Sequence, residues 1–167
     1  MTMIVETMKA SDLDSVLSIE KASFSHPWSR QLFLHELNHR HARCYVACLT
    51  AFPAPQALTP LRQVVGYAVF RIMAGELHLL KTAVSPEMRK KKIAFHLLGE
   101  CLGETPLAEL EHALLEVRRS NVAAIKLYEK LGFDLIAVRP EYYPLHFGKR
   151  EDALILRKHL KGGNTWQ

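Results

Sequence analysis

Four consecutive basic residues, Arg89, Lys90, Lys91 and Lys92, lie where an apolar stretch ends and a helical pattern begins. The first turn of a helix presents free backbone N–H groups and the positive end of the helix dipole, so it favours anions and disfavours cations. Four cations at a helix start are unfavourable unless an anion binds there. The run therefore indicates a bound phosphate group. A solvated basic turn without a ligand is the alternative, and the run taken alone leaves both open.

Glu116 is a carboxylate inside the short apolar segment 113–117 (ALLEV), which reads as a strand. A buried charge is costly unless it is paired, so we expect Glu116 to have a partner or a chemical task. Arg118 or Arg119 would be the partner in a structural ion pair. A carboxylate at this position would also suit catalysis, and both interpretations stay open.

Apolar spacing along the chain predicts two early helices, three strands, and then alternating helices and strands. The strand at 76–84, the helix after it and the strand at 113–117 are expected to form one right-handed crossover. The predicted fold class is α+β, with a mixed, mostly antiparallel sheet flanked by helices. The predicted helices are 11–22, 29–37, 89–102 and 121–131, and the predicted strands are 42–50, 64–72, 76–84, 113–117, 133–138 and 152–158.

Capping residues mark several of the predicted helix ends. Ser11 is the predicted cap of the first helix, Ser29 opens the second, and Asn121 caps the last; a capping side chain accepts a hydrogen bond from a free backbone N–H group. Gly132 follows the last helix at a position that often takes a left-handed conformation. Gly103 and Pro106 are expected to end the helix that starts at the basic run.

Length and composition indicate one globular domain, which we place at 1–160. The chain has 167 residues, of which 49% are hydrophobic and 23% are charged. No apolar run reaches the roughly 18 residues of a membrane span, and the first residues lack the features of a signal peptide, so we expect a cytoplasmic protein without membrane contact. The segment 51–62 is expected to be an exposed loop because it contains three prolines, and 161–167 a flexible tail.

The cysteines and the net charge limit the possible ligands. Cys44 and Cys48 are four residues apart in a predicted strand, and with an odd total of three cysteines we expect reduced thiols and no metal site. The net charge of +5 suits an anionic ligand, a phosphorylated cofactor or nucleic acid. Solubility alone would also explain this charge.

Three segments resemble the GCN5-related N-acetyltransferase (GNAT) superfamily: VSPEMRKKKIAFHLL, LLEVRRSNVAAIKLYEKLGF, and YYP with EDA. The resemblance extends from the PWS triplet at 27–29 to the EDA at 151–153, and within the superfamily it is strongest to bacterial ribosomal-protein-alanine N-acetyltransferases. It implies an acetyltransferase whose sheet contains two splayed strands around acetyl-CoA. The implied partner is the N-terminus of a ribosomal protein, with nucleic acid contacted only indirectly.

The resemblance also implies which residues would bind acetyl-CoA. The strand before the basic run would bind the pantetheine arm, the amides at the helix start would bind the pyrophosphate, and an asparagine would contact the cofactor arm. Lys92 stands where the family's motif has glycine, and its side chain would restrict the approach of a phosphate unless it points outward. The implied cofactor-binding residues are Thr82, Ala83, Val84, Lys90, Lys91, Lys92, Ile93, Ala94, Phe95 and Asn121.

Direct acetyl transfer needs a base, a hydrogen-bond donor for the oxyanion and an acid. An α-amine with a pKa of about 8 must lose a proton before it attacks the thioester. By resemblance, Glu116 matches the family's general base, which accepts this proton. A backbone N–H near Val84 would stabilise the oxyanion. Tyr128 matches the tyrosine beside the sulfur and would give a proton to the leaving thiolate. The predicted reaction uses no metal and no thiol of the enzyme.

Trp28, Tyr142 and Tyr143 are the implied acceptor-binding residues. In the resembling enzymes, the loop between the first two helices and the loop between the last two strands flank the acceptor, although aromatic residues there also fit simple packing. Three functions compete: acetylation of a ribosomal protein N-terminus, acetylation of a free amine such as a polyamine or an antibiotic, and non-catalytic binding of a cofactor or RNA. A carboxylate and a phenol at the chemical positions favour catalysis, and the tyrosine pair with PWS favours a peptide acceptor.

Overall fold

The computed structural model describes residues 2–51, 61–104 and 110–160. Most of the predicted loop at 51–62 and all of the predicted tail at 161–167 lie outside these residues. The described residues belong to two compact units, the first within Met1–Arg71 and Lys81–Gly103, and the second within Ile72–Leu80 and Glu104–Gln167.

The main elements follow the predicted alternation of helices and strands. The strands lie in one sheet, and their order, β1-β2-β3-β4-β5-β7-β6, is mixed and mostly antiparallel as predicted. The elements are β1 (Thr2–Thr7), α1 (Leu13–Ser23), α2 (Arg30–Asn38), β2 (Ala42–Ala51), β3 (Leu61–Met73), β4 (Glu76–Val84), α3 (Ile93–Glu104), β5 (His112–Arg118), α4 (Val122–Lys130), β6 (Asp134–Pro144) and β7 (Arg150–His159).

The first unit is built on the antiparallel strands β1, β2 and β3. Helix α1 turns one face inward because Leu13, Val16 and Ile19 recur at helical spacing, and all three are buried. Ser11 does not cap α1 as predicted, because it lies in the turn Ala10–Asp12 and α1 begins at Leu13. Ser29 opens α2 as predicted, and its hydroxyl accepts a hydrogen bond from the Leu32 amide at 3.3 Å. The core of this unit also contains side chains that are at most 2% exposed, namely Phe33, Val46, Val65, Tyr67, Phe70, Leu97 and Leu98.

The second unit contains β5, β6, β7 and α4 with the first residues of β4. The parallel register joins Leu77–Leu79 to Ala113–Leu115, which confirms the predicted parallel pair. Helix α4 ends at Lys130, and Gly132 follows it with a φ of 85°. The amides of Gly132 and Phe133 donate hydrogen bonds of 2.9 and 3.0 Å to carbonyls of the last helical turn, so the predicted glycine end is confirmed.

Strand β1 is absent from the sequence prediction, which begins with a helix. It pairs with β2 along its whole length, from Thr2 to Thr7. None of its side chains is fully buried, because the strand lies at the end of the sheet order. The strand therefore lacks the apolar pattern that reveals a core strand in sequence.

The predicted bounds of α3 are wrong at both ends. The helix begins at Ile93 rather than at the basic run, because Lys90 and Lys92 have φ angles of 62° and 61° that a right-handed helix does not accept. It also continues past Gly103 to Glu104. A single glycine lowers helix stability without stopping the helix.

Candidate active site

The basic run forms an exposed turn that leads into α3. Lys90 and Lys92 are both left-handed, and the side chains of all four basic residues are exposed. Left-handed residues within a turn can gather backbone N–H groups into a concave anion site. The first amides of α3 also lack partners within the helix. The turn is therefore suited to an anionic group.

The Arg89 guanidinium is held by protein groups rather than left free for an anion. Its Nε donates to the Val84 carbonyl at 3.1 Å, and its Nη2 donates to Ser23 Oγ at 2.9 Å. Arg89 thus ties the turn to the end of β4 and to the end of α1. The three lysines are exposed, and Lys91 Nζ has only the weak acceptor Met88 Sδ at 3.5 Å, so all three can still bind a ligand.

The end of β4 is fixed against β3 on one edge. Thr82 Oγ1 donates to the Tyr67 carbonyl at 2.8 Å, and the Ser85 amide donates to the Val65 carbonyl at 2.9 Å. Successive backbone N–H groups along a strand point to opposite edges. The Val84 N–H therefore points away from β3, which leaves it on the edge where a ligand could accept from it.

Gly66 on β3 permits close approach of the end of β4. A Cβ at this position would lie 3.2 Å from the Ala83 carbonyl oxygen, 3.3 Å from Val84 Cγ2 and 3.7 Å from Ile93 Cγ2. The first two distances are tighter than ordinary van der Waals contact. Because Gly66 has no side chain, the end of β4 can lie close to β3. This end of β4 contains Thr82, Ala83 and Val84, which the family resemblance assigns to the cofactor.

Trp28 lies between α1 and α2, as predicted, and is half-buried. Its ring lies 5.4 Å from that of Phe33, and its amide donates to Glu20 Oε1 at 2.7 Å. Sequence reasoning missed Glu20, which is a fully buried carboxylate. Its spacing of four residues from Val16 and seven from Leu13 is the signal that places it on the buried face of α1.

Glu116 on β5 is not buried, contrary to prediction, since 31% of its side chain is exposed. Its partner is Arg139 on β6, with Nη1 2.9 Å from Oε1. The predicted partners, Arg118 and Arg119, instead pair with acidic residues of β7 at 2.9 and 3.0 Å. The partner is an arginine, as expected, but it is Arg139 rather than Arg118 or Arg119.

The strand register explains the choice of partner. Arg118 and Arg139 both lie opposite Ala153 of β7, one from each side. Residues opposite each other in paired strands share a face, and Glu116 shares it too because it is two positions from Arg118. Ala153 is small, so the long Arg139 side chain can reach Glu116 over β7.

Tyr128 on α4 is buried, and its ring lies 5.9 Å from that of Phe133. Burial, assisted by the neighbouring Tyr143, raises the pKa of Tyr128 to about 12. The phenol therefore keeps its proton at neutral pH. Burial and the charge of Glu116 also raise the pKa of Tyr143. Within the second unit, Tyr143 thus interacts electrostatically with Tyr128 and with Glu116.

Asn121 caps α4, as predicted. Its side-chain oxygen accepts a hydrogen bond from the Ala124 amide at 3.2 Å, and the residue itself is exposed. It begins the helix that carries Tyr128. The cap fixes where this helix starts after β5.

Tyr142 and Tyr143 lie in β6. The prediction that they lie in the loop between the last two strands is therefore wrong. The strand continues because Tyr143 pairs with Glu151 of β7 after an irregularity that follows Arg139. The two tyrosine rings are 5.0 Å apart. The Arg118 guanidinium lies 4.4 Å from the centre of the Tyr143 ring, and that of Arg139 lies 5.4 Å from the Tyr142 ring. Tyr142 remains exposed.

All three cysteines, Cys44, Cys48 and Cys101, are buried. Burial raises the pKa of both Cys44 and Cys48 to about 12, so these thiols stay protonated and unreactive. In the described ranges no three His, Cys, Asp or Glu side chains are grouped as metal ligands. No helix in those ranges is long and apolar enough to cross a membrane.

Comparison with known proteins gives one consistent family. The model of the acetyltransferase (GNAT) family matches residues 13–133. The ribosomal protein bS18-alanine N-acetyltransferase of Escherichia coli is 30% identical over 152 residues, covering 91% of this chain and 94% of that protein. The protein of the same name from Haemophilus ducreyi is 27% identical over 157 residues, covering 94% of this chain and 100% of that protein.

Solved structures share the fold. The ribosomal-protein-S18-alanine N-acetyltransferase from Escherichia coli has a TM-score of 0.79 at 26% identity and covers 99% of this chain and 100% of that chain. Arabidopsis thaliana NAA60 in complex with acetyl-CoA has a TM-score of 0.81 at 18% identity, covering 96% of this chain and 100% of that one, a likeness of fold alone. Since the family model spans most of the sequence and the fold agrees, the chain belongs to the GNAT family of acetyltransferases.

Proposed function

We propose that this protein transfers the acetyl group of acetyl-CoA to the N-terminal α-amine of a ribosomal protein that begins with alanine. The observation that carries this proposal is the similarity to bS18-alanine N-acetyltransferases over 91% and 94% of this chain. Membership of the family supports the type of reaction, and the names of these relatives support the proposed acceptor.

Acetyl-CoA suits the groups that surround the end of β4 and the start of α3. Its pyrophosphate is assigned to the amides of Lys90–Phe95, in keeping with the left-handed turn and its three available lysines. Its pantetheine arm is assigned to Thr82–Val84, where the absence of a side chain at Gly66 sets the strand position. The family resemblance assigns Asn121 to the cofactor arm as well.

Glu116 is the proposed general base. Its side chain is partly exposed, so it can accept the proton that the α-amine loses, directly or through one water molecule. Arg139 must release Glu116 when the amine approaches. An exposed ion pair contributes only about 0–1 kcal/mol, so the release is inexpensive.

The oxyanion that forms on the thioester needs a hydrogen-bond donor, and the departing sulfur needs a proton donor. The Val84 N–H, which points away from β3, is the proposed donor to the oxyanion. Tyr128 keeps its proton at neutral pH because burial raises its pKa to about 12, and it is the proposed donor to the departing thiolate. The amine attacks the thioester directly, so no covalent enzyme intermediate forms.

The acceptor peptide is assigned to aromatic residues on the basis of the family resemblance. In the first unit Trp28 is half-buried, and in the second unit Tyr142 is exposed, so each has ring area left for contact. Tyr143 is assigned with Tyr142 because its ring stands edge-on to that of Tyr142. Large amphipathic rings suit an extended peptide whose backbone carries polar groups.

A panel of acceptors tests this function. The protein is incubated with acetyl-CoA and with peptides that begin with alanine, the same peptides beginning with other residues, and free polyamines, and the products are weighed by mass spectrometry. We expect the alanine peptides to gain one acetyl group fastest. Acetylation of free amines alone would replace the proposed acceptor, and no acetylation at all would indicate a binding module.

A further inference from the structure

Glu20 is a fully buried carboxylate with three partners in the first unit. Its Oε1 accepts from the Trp28 amide at 2.7 Å and lies 3.1 Å from Lys81 Nζ, and its Oε2 accepts from the Tyr67 hydroxyl. A carboxylate without solvent is stable only when such partners replace water. Burial and Glu20 raise the pKa of Tyr67, so that phenol remains a donor.

Lys81 on β4 places its ammonium group beneath two aromatic rings. Nζ lies 3.7 Å from the centre of the Phe24 ring and 5.7 Å from that of Trp28. Only 15% of the Lys81 side chain is exposed, so the contacts act where water competes weakly. Phe24 directly follows α1, and Trp28 directly precedes the cap of α2.

These contacts hold the segment 24–28 at both ends. The Phe24 ring rests on Lys81, the Trp28 amide is bound by Glu20, and the Trp28 ring packs on Phe33. Both aromatic side chains are nevertheless only half-buried, so part of each remains open to a ligand. A rigid aromatic surface loses less conformational entropy when it binds a peptide.

We propose that Lys81, paired with Glu20, is a positioning residue that fixes Phe24 and Trp28 as the surface for the acceptor peptide. The inference rests on the proposed function, because it deepens the assignment of Trp28. Lys81 does not touch the reacting atoms in this account. It acts through the two rings and through the buried carboxylate, so its loss should affect acceptor binding and spare cofactor binding.

Steady-state kinetics of Lys81→Met, Lys81→Arg and Lys126→Met test this inference, with an alanine peptide and acetyl-CoA varied separately. Lys126 is an exposed lysine on α4 and serves as the matched control. We expect Lys81→Met to raise the peptide KM about tenfold, the scale of a lost desolvated cation–π contact. The KM for acetyl-CoA and kcat should stay within about twofold, and Lys81→Arg should recover much of the peptide KM.

Fluorescence separates this inference from the proposed function. The sequence has two tryptophans, Trp28 and Trp166, so Trp166→Phe leaves Trp28 as the only reporter. In that background Lys81→Met should change the Trp28 emission and its accessibility to a neutral quencher, while Lys126→Met should not. This readout needs no acetyl transfer. If wild type acetylates no peptide, the proposed function fails while the positioning of Trp28 is still measured.

Removal of Lys81 alone leaves Glu20 buried with one partner fewer and threatens folding. The double variant Glu20→Gln/Lys81→Met removes both charges and is measured in the same way if Lys81→Met does not fold. An unchanged peptide KM and unchanged Trp28 emission in a folded variant would overturn the inference. Failure of both variants to fold would also overturn it, because the pair would then be purely structural.

Discussion

Glu116 and Arg139 form a partly exposed ion pair, and such pairs add only about 0–1 kcal/mol to stability. Glu116→Gln and Arg139→Gln both break it, so both variants should unfold close to the wild-type temperature. Only Glu116→Gln removes the proposed base, and it should lower turnover about 10²-fold or more at neutral pH. Rates with an alanine peptide, measured beside thermal unfolding, compare the two. Equal rate losses would leave Glu116 as an ion-pair residue only.

Tyr128→Phe keeps the ring that packs on Phe133 and removes only the hydroxyl, so folding and acetyl-CoA binding should survive. A coenzyme A thiolate can leave partly unaided, so we expect the rate to fall about 10- to 10³-fold rather than to vanish. The defect should shrink with a more acidic leaving thiol. Single-turnover rates with two acetyl thioesters of different thiol acidity measure it. The same rate as wild type, or an equal defect with both thioesters, would make Tyr128 a packing residue.

Lys92 occupies a left-handed position with φ of 61°, which costs an L-residue roughly 1–2 kcal/mol and which glycine adopts freely. The Lys92 side chain also restricts the approach of a phosphate, so Lys92→Gly should bind acetyl-CoA as tightly as wild type or more tightly. Lys91→Gly removes the same charge from a residue without positive φ, and it should bind more weakly. Calorimetry at low and high salt compares the variants. A marked loss of affinity in Lys92→Gly would show that its charge is used.

At the scale of elements, the packing of β3 on the end of β4 depends on Gly66. Gly66→Ala puts a Cβ 3.2 Å from the Ala83 carbonyl oxygen, a backbone atom that cannot turn aside. The end of β4 should shift, with a loss of about 1 kcal/mol in unfolding free energy and several-fold weaker acetyl-CoA binding. Gly103→Ala is the control, because its Cβ would meet nothing within 4 Å. Wild-type affinity in Gly66→Ala would separate the strand from the cofactor.

The helices and the core strands could be predicted because their apolar residues repeat at 3.6 or at 2 positions. The same rule explains the misses. β1 is not fully buried at any position, so its pattern is weak. The start of α3 depends on two left-handed lysines, and φ angles at lysine have no signature in sequence.

Across the whole molecule, each of the two units contains an ion pair that joins distant parts of the sequence. Glu116 pairs with Arg139 because of the register across β7, and Glu20 meets Lys81 because α1 packs near β4. Neither pair can be predicted from the composition or from the local spacing of residues. The family resemblance proposes Glu116 and Tyr128 as catalytic residues, whereas their contacts with Arg139 and Phe133 needed the three-dimensional structure.

The position of the added acetyl group shows whether the enzyme acetylates an N-terminal α-amine. One peptide begins with alanine and contains an internal lysine, and a second is identical except for a blocked N-terminus. After incubation with acetyl-CoA, tandem mass spectrometry locates the added group. We predict that it lies on the alanine α-amine of the first peptide and that the blocked peptide is not modified. Acetylation of the internal lysine in either peptide would show that the enzyme acts on side-chain amines, contrary to the proposed function.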